Sequence, residues 1–86
     1  GEAVGWYVYM LRCGDGSLYT GSTTDVDRRL REHQSGMGAR YTRSRPPVTL
    51  AYVEEALDRS AAQRREAIIK KLSRTQKLKL IGKGEI

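Results

Sequence analysis

The sequence predicts an α+β domain, a small three-stranded sheet flanked by helices in the order β-β-α-β-α-α. Three observations predict it. The run Trp6–Arg12 is rich in aromatic and β-branched residues and holds no Gly or Pro. Gly14-Asp15-Gly16 joins it to a second such run, residues 18–22, with the composition of a tight hairpin. Beyond the hairpin, apolar residues recur at helical spacing, interrupted once by the strand-like run V-T-L-A-Y-V-E at residues 48–54.

The first strand carries large apolar side chains on both faces and is expected at the centre of the sheet. The glycines of the turn are expected to supply positive φ angles. Loop length then decides which residues meet. A three-residue loop pairs Cys13 with Ser17, Leu11 with Tyr19 and Tyr9 with Gly21. Tyr9 and Tyr19 then point to one side of the sheet, whereas a loop of even length separates them. The odd loop is the expectation, with Gly21 leaving open space beside the phenols.

Thr24 followed by Asp27 reads as a capping box that starts a helix. Val26, Arg29, Leu30 and His33 share one face of that helix. Two of the four are apolar and should pack on the sheet, which draws Arg29 and His33 toward the tyrosines. Gly36 and Gly38 end the helix. The segment Arg40-Tyr41-Thr42-Arg43-Ser44-Arg45 is basic with one aromatic, and Pro46-Pro47 stops any helix there. After the third strand, Ser60 with Gln63 reads as a second capping box. The helix over residues 61–72 should bury Ala61, Ala62, Ile68, Ile69 and Leu72. Arg65 falls inside that stripe and must snorkel or meet a charge, and Glu66 lies at its edge. A break at residues 73–75 precedes a last basic helix over 76–81.

With 86 residues, the chain reads as one domain, 1–86, with its core over about 6–81. No apolar run approaches the roughly 20 residues of a membrane helix, so no membrane association is expected. The first residues lack a basic region followed by an apolar core, which argues against a secretory signal. Cys13 is the only cysteine, which suits a reducing, cytoplasmic setting and a small buried hydrophobe at a strand end. A single histidine without a cysteine cluster excludes a structural zinc site. Sixteen Lys and Arg against ten Asp and Glu give a net charge of +6, which points to a polyanionic partner, DNA or else RNA. The bases crowd into residues 28–31, 40–45 and 64–83, while the acids are scattered.

Tyr7-Val8-Tyr9 and Tyr19-Thr20-Gly21 are two triads, and Tyr9, Tyr19 and Arg29 fall ten residues apart. With Glu66 and the element order, they make the chain resemble the GIY-YIG nuclease superfamily over Trp6 to about Ile81. It looks like a small stand-alone bacterial member, similar to the N-terminal domain of UvrC-type excision nucleases. That resemblance implies an endonuclease that needs a divalent metal and hydrolyses phosphodiester bonds in structured or single-stranded DNA during repair or recombination. It implies Tyr9, Tyr19, Arg29 and His33 as catalytic residues and Glu66 as the ligand of one Mg²⁺ or Mn²⁺. Arg29 would clamp phosphate oxygens, Tyr9 would act as general base toward water, Tyr19 would orient that water, and His33 would assist proton transfer. Two departures stand out: Tyr7 replaces the first Gly of the signature, and the sequence contains no Asn, for which Gln76 is the candidate stand-in.

Phosphate contacts are expected from Arg28, Arg40, Arg43, Arg45, Lys70 and Lys71, with Tyr41 adding an aromatic suited to single strands. Each candidate also has a plain structural reading. The tyrosines would pack, Arg29 would pair with Asp25 or Glu32, His33 would be a part-exposed helix-end residue, and Glu66 would pair with Lys70. The competing functions are a catalytically silent nucleic-acid-binding module and a protein-interaction domain. Without a second domain, specificity is expected to come from a protein partner or self-association.

Overall fold

The structure, a computed structural model, describes residues 5–84. Residues 1–4, which carry most of the reading of the N-terminus, lie outside the described residues. The elements are β1 (Trp6–Arg12), β2 (Leu18–Thr23), α1 (Val26–Gln34), α2 (Arg40–Arg43), β3 (Thr49–Ala56), α3 (Arg59–Lys70) and α4 (Arg74–Gly84). The expected α+β order therefore holds with one addition, the four-residue α2. Such a short helix carries no periodicity for sequence reading to find.

The sheet is antiparallel with strand order β2-β1-β3, so β1 is central as its two apolar faces require. The hairpin has the odd register: Leu11 faces Tyr19 and Tyr9 faces Gly21. Of the turn glycines only Gly16 has positive φ, at 84°, so a single left-handed position closes the loop. Asp15 finishes the turn by accepting from both the backbone N–H and the hydroxyl of Ser17. Cys13 is buried at the end of the strand and free, as expected.

Side-chain alternation along β1 makes two interiors. Val8 and Met10 pack with Ala62, Ile69 and Ile81 under α3 and α4. Tyr9 and Leu11 pack on the other side with Val48, Tyr19 and Leu30. The helix starts differ from expectation. Asp25, not Thr24, caps α1 by accepting from Arg28 N–H at 3.0 Å, while the Thr23 hydroxyl accepts from Asp25 N–H. Asp58, not Ser60, caps α3 through Ala61 N–H at 2.8 Å, and α3 ends at Lys70. In both cases several cap formers are adjacent, and the extended residue that leaves the preceding strand takes the position. The reciprocal box forms instead at α4, where Ser73 and Gln76 exchange bonds with each other's backbone N–H.

On α3 only Ala62 and Ile69 are fully buried, and Ile68 is 53% exposed. One residue along a helix is about 100° of rotation, which turns Ile68 off the narrow stripe that meets the sheet. Arg65 meets a charge, as its place in the stripe demanded: it forks onto Glu54 at 2.8 and 3.2 Å. Among the described residues no helix is long and apolar enough to cross a membrane.

Candidate functional site

The site begins with Tyr9 on β1, whose side chain is only 2% exposed. Its hydroxyl lies 3.0 Å from His33 Nε2 on α1. Gly21 is where sequence reasoning expected open space, and that expectation is corrected. A Cβ there would lie 2.5 Å from the Tyr9 hydroxyl oxygen, so the phenol itself occupies the space. The missing side chain lets the ring lie across β2.

His33 is 1% exposed, which removes the reading of a part-exposed helix-end residue. Its Nδ1 side meets the Thr42 hydroxyl at 2.7 Å and the Ala39 N–H at 3.3 Å. The Tyr9 ring stands edge-on to the imidazole at 6.0 Å between centroids, and the Tyr19 ring is closer, at 5.1 Å. One turn before His33 on α1, Arg29 reaches the same side and pairs with Glu32 at 2.8 Å. Two phenols, an imidazole and a guanidinium thus converge on one face of the sheet.

Glu66 reaches the sheet from the other side. Ser22 pairs with Val8, so it faces α3, and its hydroxyl donates to Glu66 Oε1 at 2.7 Å. Lys70 holds Oε2 at 2.8 Å, which is the expected i, i+4 pair. The carboxylate therefore stands beside edge strand β2, reached from the α3 side. It is near enough for its charge to act on Tyr9.

Burial dominates the electrostatics. The Tyr9 phenol is pushed up to about 12 by desolvation, with the neighbouring Tyr19 adding to it and Arg29 opposing it. His33 is pulled below the usual histidine value, first by burial and then by the Arg29 charge. It is accordingly a neutral imidazole at pH 7. Arg29 is held more firmly protonated by its bond to Glu32, and Lys70 by its bond to Glu66.

The described residues contain no group of three or more His, Cys, Asp or Glu able to cage a metal. The donor chemistry at Glu66 still fits Mg²⁺ or Mn²⁺. Carboxylate and hydroxyl oxygens are hard donors, and Mg²⁺ is commonly held by one or two carboxylates plus water and substrate phosphate.

The sequence profile described as the GIY-YIG catalytic domain matches residues 5–79. The chain belongs to the GIY-YIG family. A UPF0213 protein of Streptococcus sanguinis is 59% identical over 75 residues, spanning 87% of this chain and 86% of the relative. UPF0213 protein VNG_2274C of Halobacterium salinarum is 56% identical over 71 residues, spanning 83% and 92%. The solution NMR structure of UPF0213 protein BH0048 from Bacillus halodurans superposes with a TM-score of 0.60 at 49% identity, over 93% of this chain and 86% of that one. The GIY-YIG triads of this chain are thus Tyr7-Val8-Tyr9 on β1 and Tyr19-Thr20-Gly21 on β2, in register across the hairpin.

Within this GIY-YIG domain, the basic residues divide. Arg28, Arg40, Arg43 and Lys71 are exposed. Tyr41 borders the site, its ring 6.0 Å from that of Tyr19. Arg45 stacks over Tyr41 at 3.9 Å and is tied to Asp15 at 3.0 Å. Lys70 is engaged with Glu66. Gln76 is not brought to the phenols: its side chain caps α4 and lies in a cleft with Arg65, Leu72 and Lys83. Sequence reading missed Ser22 and Thr42. Ser22 was accessible through strand alternation, which sets it opposite Gly21 and toward α3. Thr42 sits among arginines in a segment with no pattern, and nothing in the sequence marks it.

Proposed function

We propose that the chain is a divalent-metal-dependent endonuclease that hydrolyses phosphodiester bonds in DNA, on structured or single-stranded segments, in repair or recombination. The observation that carries this reading is the 3.0 Å contact between the Tyr9 hydroxyl and His33, with Tyr19 and Arg29 beside it. Two phenols and a buried imidazole joined in this way are a costly arrangement for packing alone. Membership of a family whose domain is described as catalytic supports the same reading.

In this mechanism Tyr9 passes its hydroxyl proton toward the neutral His33 imidazole 3.0 Å away, and the phenolate takes a proton from water as that water's oxygen bonds to phosphorus, so that Tyr9 ends protonated and His33 returns its proton to solvent. Arg29 neutralises phosphate oxygens, and its guanidinium also favours the phenolate. Tyr19 orients the water or the phosphate. The bridging P–O bond breaks with its electron pair on the leaving oxygen, which takes up a solvent proton. Glu66, with the Ser22 hydroxyl, would hold Mg²⁺ or Mn²⁺. When bound, the ion supplies positive charge to the phosphate and the leaving oxygen. The exposed Arg28, Arg40, Arg43 and Lys71, with Tyr41 and Arg45, form a basic rim suited to backbone contacts, with Lys70 joining them once released from Glu66. Such contacts carry little sequence information, so site selection is assigned to a protein partner or to self-association.

A second reading has its own support. Both oxygens of Glu66 are occupied within the protein, and the chain holds no Asn. A nucleic-acid-binding module without catalysis would accommodate both facts. One experiment separates the two readings: purified protein and Glu66→Ala are incubated with branched, nicked and single-stranded DNA, with RNA alongside, plus Mg²⁺ or Mn²⁺. Cleavage by wild type that Glu66→Ala lacks supports the nuclease. Salt-sensitive binding without cleavage under either metal supports the binding module, and equal cleavage by both proteins removes Glu66 from the mechanism.

A further inference from the structure

α3 ends at Lys70 and α4 begins at Arg74, and a cleft of about 210 Å³ opens between the two helices. Arg65, Leu72, Gln76, Lys79, Leu80 and Lys83 line it, and no carboxylate of the described residues does. Gln76, Lys79, Leu80 and Lys83 follow the spacing i, i+3, i+4 and i+7, which puts them on one face of α4.

The polar groups of this cleft are donors, and two of them are held in place. Glu54 binds Arg65 through Nε and Nη2, which fixes the plane of the guanidinium and leaves Nη1 without a partner among the described residues. The Tyr52 hydroxyl also donates to Glu54, so that carboxylate is already engaged. The Gln76 side-chain oxygen accepts from Ser73 N–H at 3.0 Å. A backbone N–H can only donate, so the amide turns its NH₂ the other way, and that NH₂ has no partner among the described residues. Lys79 and Lys83 form no ion pair among the described residues. They stand one helical turn apart, where like charges repel. An oxyanion with several acceptor oxygens would relieve that repulsion and take up the free donors. Leu72 and Leu80 add an apolar wall on which a sugar can rest.

We propose that this cleft is a second phosphodiester-binding site, which holds the backbone of one arm of a branched DNA. The inference rests on a nucleic-acid partner, common to both readings above, and not on cleavage. Position separates the cleft from the basic rim at the phenols. On α3, Arg65 leans to β3 and Glu66 to β2, the two edges of the sheet. α3 and α4 cover the Val8 face of the sheet, whereas Arg28 on α1 and Arg40 and Arg43 on α2 belong to the Tyr9 face. A straight arm laid on one face does not reach the other. The rim, with more unpaired bases, takes the first arm and the cleft takes the second. Such contacts read no bases, so the choice of DNA is made by its branching.

Fluorescence anisotropy without divalent metal, so that nothing is cut, tests this on a three-way junction and on a linear duplex of one arm's length. Wild type should bind the junction more tightly. Lys79→Gln/Lys83→Gln should weaken junction binding roughly tenfold or more at about 0.1 M salt and flatten the slope of log Kd against log salt by about two, roughly one for each phosphate contact. Its duplex binding should stay within about twofold. Arg59→Gln/Arg64→Gln removes the same charge from exposed positions of α3 outside the cleft and should change junction binding by no more than about threefold. An equal loss in that control, an equal loss on both DNAs, or an unchanged slope overturns the proposal. The chain has no Asn and three Gln, so the side-chain NH₂ signal of Gln76 is readily assigned by NMR. It should move with the junction at phosphate concentrations where inorganic phosphate leaves it in place. The reverse pattern would make the cleft a small-anion site and overturn the proposal. Failure to bind any DNA removes the nucleic-acid partner and the proposal with it. A junction preference that the lysine variant loses, in a protein that cuts nothing when metal is added, sustains the cleft and removes the nuclease reading instead.

Discussion

Alternate residues of β1 serve two different interiors. On one side Val8 and Met10 meet Ala62, Ile69 and Ile81 in an apolar core. On the other, Tyr9 lies buried against His33, and His33 against Thr42. Both sides bury residues of β1, but they ask different things of them. The first needs only volume and apolar surface. The second needs each buried polar atom to find a partner at a set angle, because an unpaired one costs about 1–3 kcal/mol. The α3 side therefore rests mainly on apolar packing, with the Ser22–Glu66 contact at its β2 edge, while the α1 side holds a buried phenol and imidazole in fixed contact.

That division can be broken from either side. On the α1 side, Arg29→Ala should lower cleavage about 100- to 1,000-fold, the loss seen when one transition-state charge donor is removed. Thermal unfolding should move little, since the Arg29–Glu32 pair is part-exposed. On the α3 side, Ile69→Ala should cost about 2–5 kcal/mol in denaturant unfolding. The cleavage rate per folded molecule should stay near wild type, and a specific loss of rate would mean that the two interiors are not separable.

The pH dependence sharpens the comparison further. His33 has a folded pKa below its usual 6.5, so the unfolded chain binds more protons than the folded one in the window just below 6.5. Stability is present above that value and is lost as pH falls through it. Melting temperature should decline between about pH 7 and 5.5 in wild type, and His33→Gln should flatten this part of the curve. The smallest effect belongs to Lys70. Its ammonium holds Glu66 Oε2, so the divalent cation proposed for that carboxylate would have to displace it. Lys70→Gln should strengthen Mn²⁺ binding, read by EPR titration, by roughly twofold, the worth of a surface i, i+4 pair. Weaker binding would mean that Lys70 helps the metal and does not compete with it.

The hairpin was legible because strand alternation is strict. Once the loop is odd, Tyr9 and Tyr19 share a face, and the sequence shows the glycines that make it so. The place of Arg29 and His33 followed from helical spacing off Val26 and Leu30. What stayed hidden depended on contacts between distant segments. Gly21 reads as a gap until the Tyr9 ring is seen across it. Thr42 reads as one hydroxyl in a basic loop until α2 folds against His33. The capping residues were misplaced by one or two positions because Thr24 and Asp25, like Asp58 and Ser60, have similar capping strength.

The most direct test compares two neighbours on β1 that face opposite ways. Single-turnover cleavage of one end-labelled DNA in Mg²⁺ is measured for wild type, Tyr9→Phe and Met10→Leu, with the Kd for DNA determined on the same preparations. The account predicts that removing the phenol oxygen lowers the rate by about 100- to 10,000-fold at unchanged affinity, while Met10→Leu cuts within about twofold of wild type. Undiminished cleavage by Tyr9→Phe, or equal losses in both variants, would contradict it.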